Sequence, residues 1–377
     1  MSPPLLSSPL LSSALLRRHW FSLSLSIIFL GALGLRLWGL DRINQLVFDE
    51  VYYVKYGVNY LTQQPVFDAH PPLGKYLIAL GIWLGENVWF RGAEIRNSAA
   101  GLDLSPLSYR WLNGAVGALI PPLVAGVALQ LTGRRRLAVL AGIFAALDGF
   151  LLVESRLALL HVYLVAFGML GQWCFLQAWR SQNSEDRSTP CQWLLNAGLS
   201  FGACVSIKWN GLGYWLIPML FWLGTAGILK IGLGARHWDE KQHSPSRAIR
   251  EMPQPWGSRS LISRWEPRQF LIGAICLVLI PILFYTVLWL PHLRYQTEAN
   301  FVTVHQQMLG FHRGMDDEAA AAHPYCSAWW SWPLLLRPMA YFFEKSADQR
   351  WRYSLYALGN PILWWLTTGA IASSAQP

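Results

Sequence analysis

The chain has 377 residues, of which 53% are hydrophobic and only 14% charged, well short of the roughly one quarter charged residues of ordinary globular domains. That balance argues against a water-soluble globular domain and for an all-α polytopic membrane protein. The net charge of +9 does not signal a nucleic-acid partner, because the basic residues cluster between apolar segments, where they orient spans against a bilayer.

In chain order, residues 1–19 read as a cytoplasmic tail in which Arg17 and Arg18 precede an apolar run over about 20–40. No small-residue cleavage site follows and Arg36 interrupts the run, so it reads as an uncleaved helix rather than a signal peptide. The next segment, 41–108, mixes aromatic and aliphatic residues with few charges, as in "EVYYVKYGVNYL" and "LGKYLIALGIWLGENVWF", and predicts helices lying along the interface. A hydrocarbon core takes about 20 apolar residues per helix. Further runs over 109–131, 137–153, 157–179, 192–207, 211–230 and 269–290 bring the expectation to about seven transmembrane helices.

Charge sets the sidedness. Arg17 and Arg18, then Arg134, Arg135 and Arg136, then Arg180 and Arg187, and finally the basic stretch 231–268 all fall on one side, which the positive-inside rule makes cytoplasmic. The chain therefore divides into the tail 1–19, an N-terminal transmembrane region 20–230 carrying the outer loop 41–108, a cytoplasmic linker 231–268, and a region 269–377 with the seventh helix and another outer loop. Five cysteines have no metal-type or disulfide-framework spacing and leave the redox compartment open.

Once the sides are assigned, Asp49, Glu50, Asp68, His70, Lys75, Glu154, Arg156, His161, Lys208, His305 and His323 gather on or just under the outer face. Ionisable groups near hydrocarbon are costly unless paired or solvated, which makes them functional candidates by default. Each has a bland reading: Asp49 and Glu50 as loop solvation, Arg156 and Lys208 as snorkelling cations or partners of Glu154, His161 as a packing residue, and "HPP" at 70–72 as a helix start. Their convergence from five separated segments is what the bland readings leave unexplained.

The stretches "FDEVYYVKYGVNYL", "FDAHPPLGKYLI", "VESRLALL", "SIKWNGLGY", "HPYCSAWWSWPLLLRPMAYFFE" and "ALGNPILWW" occur in an order that resembles the protein O-mannosyltransferases, dolichyl- or polyprenyl-phosphate-mannose-dependent membrane enzymes, and especially their bacterial members. The resemblance runs from about residue 20 to the end. It implies a GT-C glycosyltransferase fold that moves mannose from a polyprenyl phosphate to Ser or Thr hydroxyls of exported proteins. By position, Asp49 matches the family's catalytic aspartate and Glu50 its acidic neighbour, while Arg156 and Lys208 match cations expected at the donor phosphate. Asp68, His70, Lys75 and His323 are expected as further substrate contacts. Two departures stand out: His161 occupies a place where the family commonly has an acid, and the chain stops at "TTGAIASSAQP", so that it is expected to be C-terminally short.

The expected chemistry needs a base for the acceptor hydroxyl and cations for the departing phosphate. Asp49 is the expected base; Arg156 offers a planar fork and Lys208 a point charge. No cofactor or metal is expected beyond the lipid-linked sugar phosphate itself. The expected partners are polyprenyl-phosphate mannose, an exported polypeptide and membrane lipids, with pairing to a second subunit left open. The expected location is a bacterial plasma membrane with the site on its outer face, or the luminal face of the endoplasmic reticulum in a eukaryote. A GT-C transferase with a lipid or glycan acceptor, or an inactive fragment, is the alternative.

Overall fold

A computed structural model describes the backbone of residues 10–181, 188–235, 267–296, 299–314, 329–346 and 348–374, and the side chains of these except 10–18, 225–235, 267–269, 329 and 374. The linker 231–268 lies largely outside these residues, and His323 entirely so.

Each of the seven apolar runs is helical. They form α1 (Leu10–Leu37), α4 (Pro106–Thr132), the pair α5 (Arg135–Ala146) and α6 (Gly149–Ser155), α7 (His161–Arg180), α8 (Ser188–Val205), α9 (Leu212–Ala235), and α10 (Pro267–Ala274) running through a π turn into α11 (Ile280–Arg294). Four of these segments, His19–Leu37, Pro106–Thr132, His161–Arg180 and Phe270–Arg294, are long and apolar enough to cross a membrane, and α5 with α6 forms a fifth candidate bent by 57°. This is an integral membrane protein.

Local chemistry fixes the helix ends. Ser105 caps α4 by accepting from Leu107 N, Pro106 takes the first helical position where no N–H is needed, and Gly133 ends the helix at φ 67°, which a side chain would strain. The bend between α5 and α6 falls at Asp148, whose carboxylate caps α6 through Leu151 N and also accepts from Asn360 N and Trp364 Nε1. That second pair of bonds docks the start of α13 (Pro361–Ser374) onto the break.

The first long loop is built as the aromatic stretches predicted, from α2 (Glu50–Leu61) and α3 (Leu73–Leu84), which pack on each other. Leu73 N donates to Ser206 O, and a Cβ on Gly74 would lie 2.6 Å from Leu160, so α3 seats directly on the turns that lead into α7 and out of α8. The main core cluster fills this junction with Val54, Ile78, Leu159, Tyr163 and Ile207, all essentially inaccessible. After α12 (Phe301–Arg313) comes a feature that helical periodicity did not anticipate: an antiparallel hairpin of β1 (Met339–Lys345) and β2 (Arg352–Ala357). Its register shifts between Ala340 and Phe342, leaving Tyr341 as the extra residue of a bulge.

Candidate active site

Asp49 and Glu50 open α2, and their carboxylates go to different places. Glu50 is completely buried, with its oxygens 2.8 and 2.6 Å from Arg110 Nε and Nη2; it also accepts from Val47 N and Ala158 N. Arg110 in turn donates to the carbonyls of Leu40, Ile43 and Gln45. Every strong hydrogen-bonding direction of this pair is used, so Glu50 has no free oxygen for a substrate. Expected beside Asp49 as a reacting group, Glu50 instead locks the first loop onto α4 and the α6–α7 turn.

Asp49 is half-buried and makes no side-chain bond to its own helix. Burial holds its carboxyl above the usual carboxylate range, while the positive fields of His161 and Lys208 pull in the opposite direction. The preceding residue, Phe48, has φ 53°, a conformation that costs a bulky L-residue about 1–2 kcal/mol. Its ring stacks on Tyr341 with centroids 4.2 Å apart, so the bulged strand supports the strained turn that presents Asp49.

Around Asp49 runs a chain of polar contacts. Tyr341 donates to Glu154, which is buried; His161 Nδ1 lies 3.0 Å from the other Glu154 oxygen, and His161 Nε2 lies 3.4 Å from Lys208 Nζ. Burial and the adjacent Glu154 push the Tyr341 phenol up, keeping it a donor. Lys208 is lowered by burial and supported by Asp49, Glu154 and Asp68. It sits in a tight turn between α8 and a short 3-10 segment, Trp209–Gly211, where its ammonium has no backbone partner among the described residues.

The remaining expected residues divide. Lys75 is 1% exposed, paired with Asp68 at 2.6 Å and bonded to His70 O at the same distance. It clips the "DAHPPLGK" loop shut rather than reaching into the site. His70 faces His312, with ring centroids 5.7 Å apart, and burial lowers its pKa to about 4, so it is neutral at physiological pH. The structure does not bring Arg156 to Lys208. Its guanidinium donates to Leu35 O and Gly39 O, it senses Arg42 and Arg110 rather than Asp49, and it lines a different cavity. Arg156 lies two residues past Glu154, roughly half a helical turn, and so faces the other side of the same segment.

Sequence reasoning missed Arg110 and Tyr341 as parts of the site. An arginine inside an apolar span is itself a signal, so Arg110 was discoverable; Tyr341 owes its orientation to the bulge, which nothing local announces.

The family model for dolichyl-phosphate-mannose-protein mannosyltransferase matches residues 26–295, and that for the C-terminal four TMM region of protein-O-mannosyltransferase matches residues 297–375. The polyprenol-phosphate-mannose–protein mannosyltransferase of Corynebacterium glutamicum is 25% identical over 92% of this chain and 70% of its own length. Protein O-mannosyl-transferase 1 of Mus musculus is 33% identical over 55% of this chain but only 28% of its own. In fold, the chain is similar to the Saccharomyces cerevisiae protein O-mannosyltransferase Pmt1-Pmt2 complex bound to the sugar donor, with a TM-score of 0.55 and 20% identity over 74% of this chain and 34% of that one.

Proposed function

The chain belongs to the dolichyl-phosphate-mannose-protein mannosyltransferase family, and from that premise we propose that it transfers mannose from a polyprenyl phosphate to Ser or Thr hydroxyls of exported polypeptides, with Asp49 as the base. The acceptor oxygen bonds to the anomeric carbon as the bond from that carbon to the phosphate oxygen breaks. The hydroxyl proton passes to Asp49, and the polyprenyl phosphate leaves with the bonding electron pair. Lys208 is the proposed cation for the growing phosphate charge, stabilising the transition state more than the ground state.

The observation that carries this reading is the carboxylate of Asp49, without a hydrogen-bond or ion-pair partner among the described residues, beside Lys208 and His161. Glu50, Glu154 and Asp68 are each held by partners, so one carboxylate in the group remains for the acceptor. A single free carboxylate suits direct displacement with inversion at the sugar rather than a covalent intermediate, which asks for a second carboxyl group. Glu154, His161 and Tyr341 then position Lys208 and the loop that carries Asp49. The face of the membrane is proposed from the charge bias of the loops, which puts Asp49 on the exported side, and pairing with a second subunit is proposed by analogy with the yeast complex.

The test is transfer from polyprenyl-phosphate mannose to a Ser/Thr peptide in membranes carrying the intact chain, for the natural sequence and Asp49→Asn. Incorporation into peptide that Asp49→Asn abolishes supports the reading. Labelling of lipid alone overturns the acceptor, and equal rates remove Asp49 from the chemistry.

A further inference from the structure

On the opposite side of the Glu50–Arg110 lock lies a half-open cavity of about 1010 Å³. Its walls come from residues 39–45 after the end of α1, from the α6–α7 turn, and from the hairpin. Four arginines line it, Arg42, Arg110, Arg156 and Arg352, against a single carboxylate, Glu344. Arg110 is neutralised by Glu50. Among the described residues, Arg42, Arg156 and Arg352 have no carboxylate within 4.0 Å; Arg42 lies over the Trp38 ring, and Arg156 is anchored only by carbonyls. Three guanidinium groups with no carboxylate paired to them, around a space of this size that holds one carboxylate, leave an excess of positive charge that suits an anion.

The cavity shares its walls with the proposed active site. Val153 faces the arginines while the next residue, Glu154, faces His161; Phe342 and Glu344 line the cavity while the bulged Tyr341 reaches Glu154. The two sites are therefore the two sides of one strand and one helical turn. A ligand able to occupy both must cross that wall in an extended form, which a polypeptide does at about 3.3 Å per residue. Apart from Arg110 and Val153 the lining residues lie outside the candidate spans, and they include the polar groups of Asn44, Gln45 and Ser354, which suits a hydrated peptide better than an acyl-bearing molecule.

Resting on the proposed transfer to polypeptides, we infer that the arginine cavity is an acceptor subsite that selects an Asp or Glu about three to five residues from the glycosylated Ser or Thr. Its carboxylate takes the place of the missing counter-charge of Arg42, Arg156 and Arg352. The subsite sets which hydroxyls are presented to Asp49 and takes no part in bond making.

The experiment uses the full chain in zwitterionic nanodiscs and three labelled peptides that share one Thr and carry Glu, Gln or Lys four residues away. The expected result is that the Glu peptide binds about tenfold more tightly than the Gln peptide, and that Arg352→Glu reverses the order of the Glu and Lys peptides. Because binding is read directly, the result stands whether or not transfer is detected; loss of transfer with intact selective binding would count against the proposed activity and not against the subsite. Equal affinities for the three peptides overturn the subsite. So does selective retention of an anionic lipid by the natural chain, lost in Arg352→Glu, without discrimination among peptides, because the cavity then holds a lipid headgroup. Arg42→Gln, at an exposed position, is the second variant and weakens discrimination without reversing it.

Discussion

Glu50 and Asp49 are neighbours in the chain, yet the regions around them are built on opposite plans. The Glu50–Arg110 lock is closed: both members are buried, their bonds are short, and backbone groups take up the directions left over. The cluster around Asp49 is open, with a half-buried carboxylate, an ammonium that among the described residues contacts only a ring nitrogen, and a strained turn next to the acid. A saturated ionic pair can hold a loop but cannot act on a substrate, whereas a cluster left short of partners has the reverse properties. Placing one beside the other lets the rigid pair hold the reactive residue in position without consuming it.

The contrast can be broken most sharply at Asp49. Asp49→Asn should reduce transfer by about 10²- to 10⁴-fold, the usual contribution of a positioned base, while leaving the protein folded in detergent. Removing one member of the lock should do the converse. Glu50→Gln or Arg110→Met leaves a buried charge unpaired and should cost about 3–5 kcal/mol of stability, read as a lowered thermal midpoint. The double variant should recover part of that loss, and equal additive losses would show that the two residues act independently.

A smaller effect is expected at Lys208. Lys208→Met should lower kcat/KM about 10²-fold and Lys208→Arg should restore part of it, because charge is needed more than shape. An unchanged Lys208→Met enzyme would leave the donor phosphate without its proposed cation. His161→Phe should cost about tenfold, since it removes the ring nitrogens that contact Glu154 and Lys208 while keeping an aromatic ring, and its effect should be non-additive with Lys208→Met.

The pH dependence gives the finest test. Burial raises the Asp49 pKa, so activity, which needs the ionised base, should rise with pH along a limb above the ordinary carboxylate value of 3.8. The stability linkage has the opposite sense: a raised folded-state pKa adds stability below the unfolded pKa, and that gain is lost as pH rises through the folded value. Asp49→Asn should therefore be slightly more heat-resistant than the natural chain at neutral pH and indistinguishable from it in acid. His70, with a pKa near 4, should contribute no limb near neutrality. A kcat/KM profile flat down to pH 4 would contradict the placement of Asp49.

Much of this arrangement was legible beforehand. Runs of apolar residues marked the helices α1, α4 and α7, and the aromatic segments after residue 41 marked α2 and α3. Asp49, His161 and Lys208 were drawn to one face by counting charges between spans. The division of labour within the "DE" pair was not legible, because either carboxylate could have faced Arg110, which lies 60 residues away. Nor was the departure of Arg156 from the cluster, which depends on the carbonyls of Leu35 and Gly39 being nearer than Asp49.

What the sequence determined by itself is therefore the set of quantities that add residue by residue: the transfer energy of each segment into hydrocarbon, the charge bias of each loop, and the caps that end the helices. What only the tertiary structure decided is which polar group meets which. Glu154 finds Tyr341 across 187 residues, through a strand bulge that turns one side chain out of register. Such pairings depend on positions to within a fraction of a hydrogen bond's length, and no sum over single residues contains them.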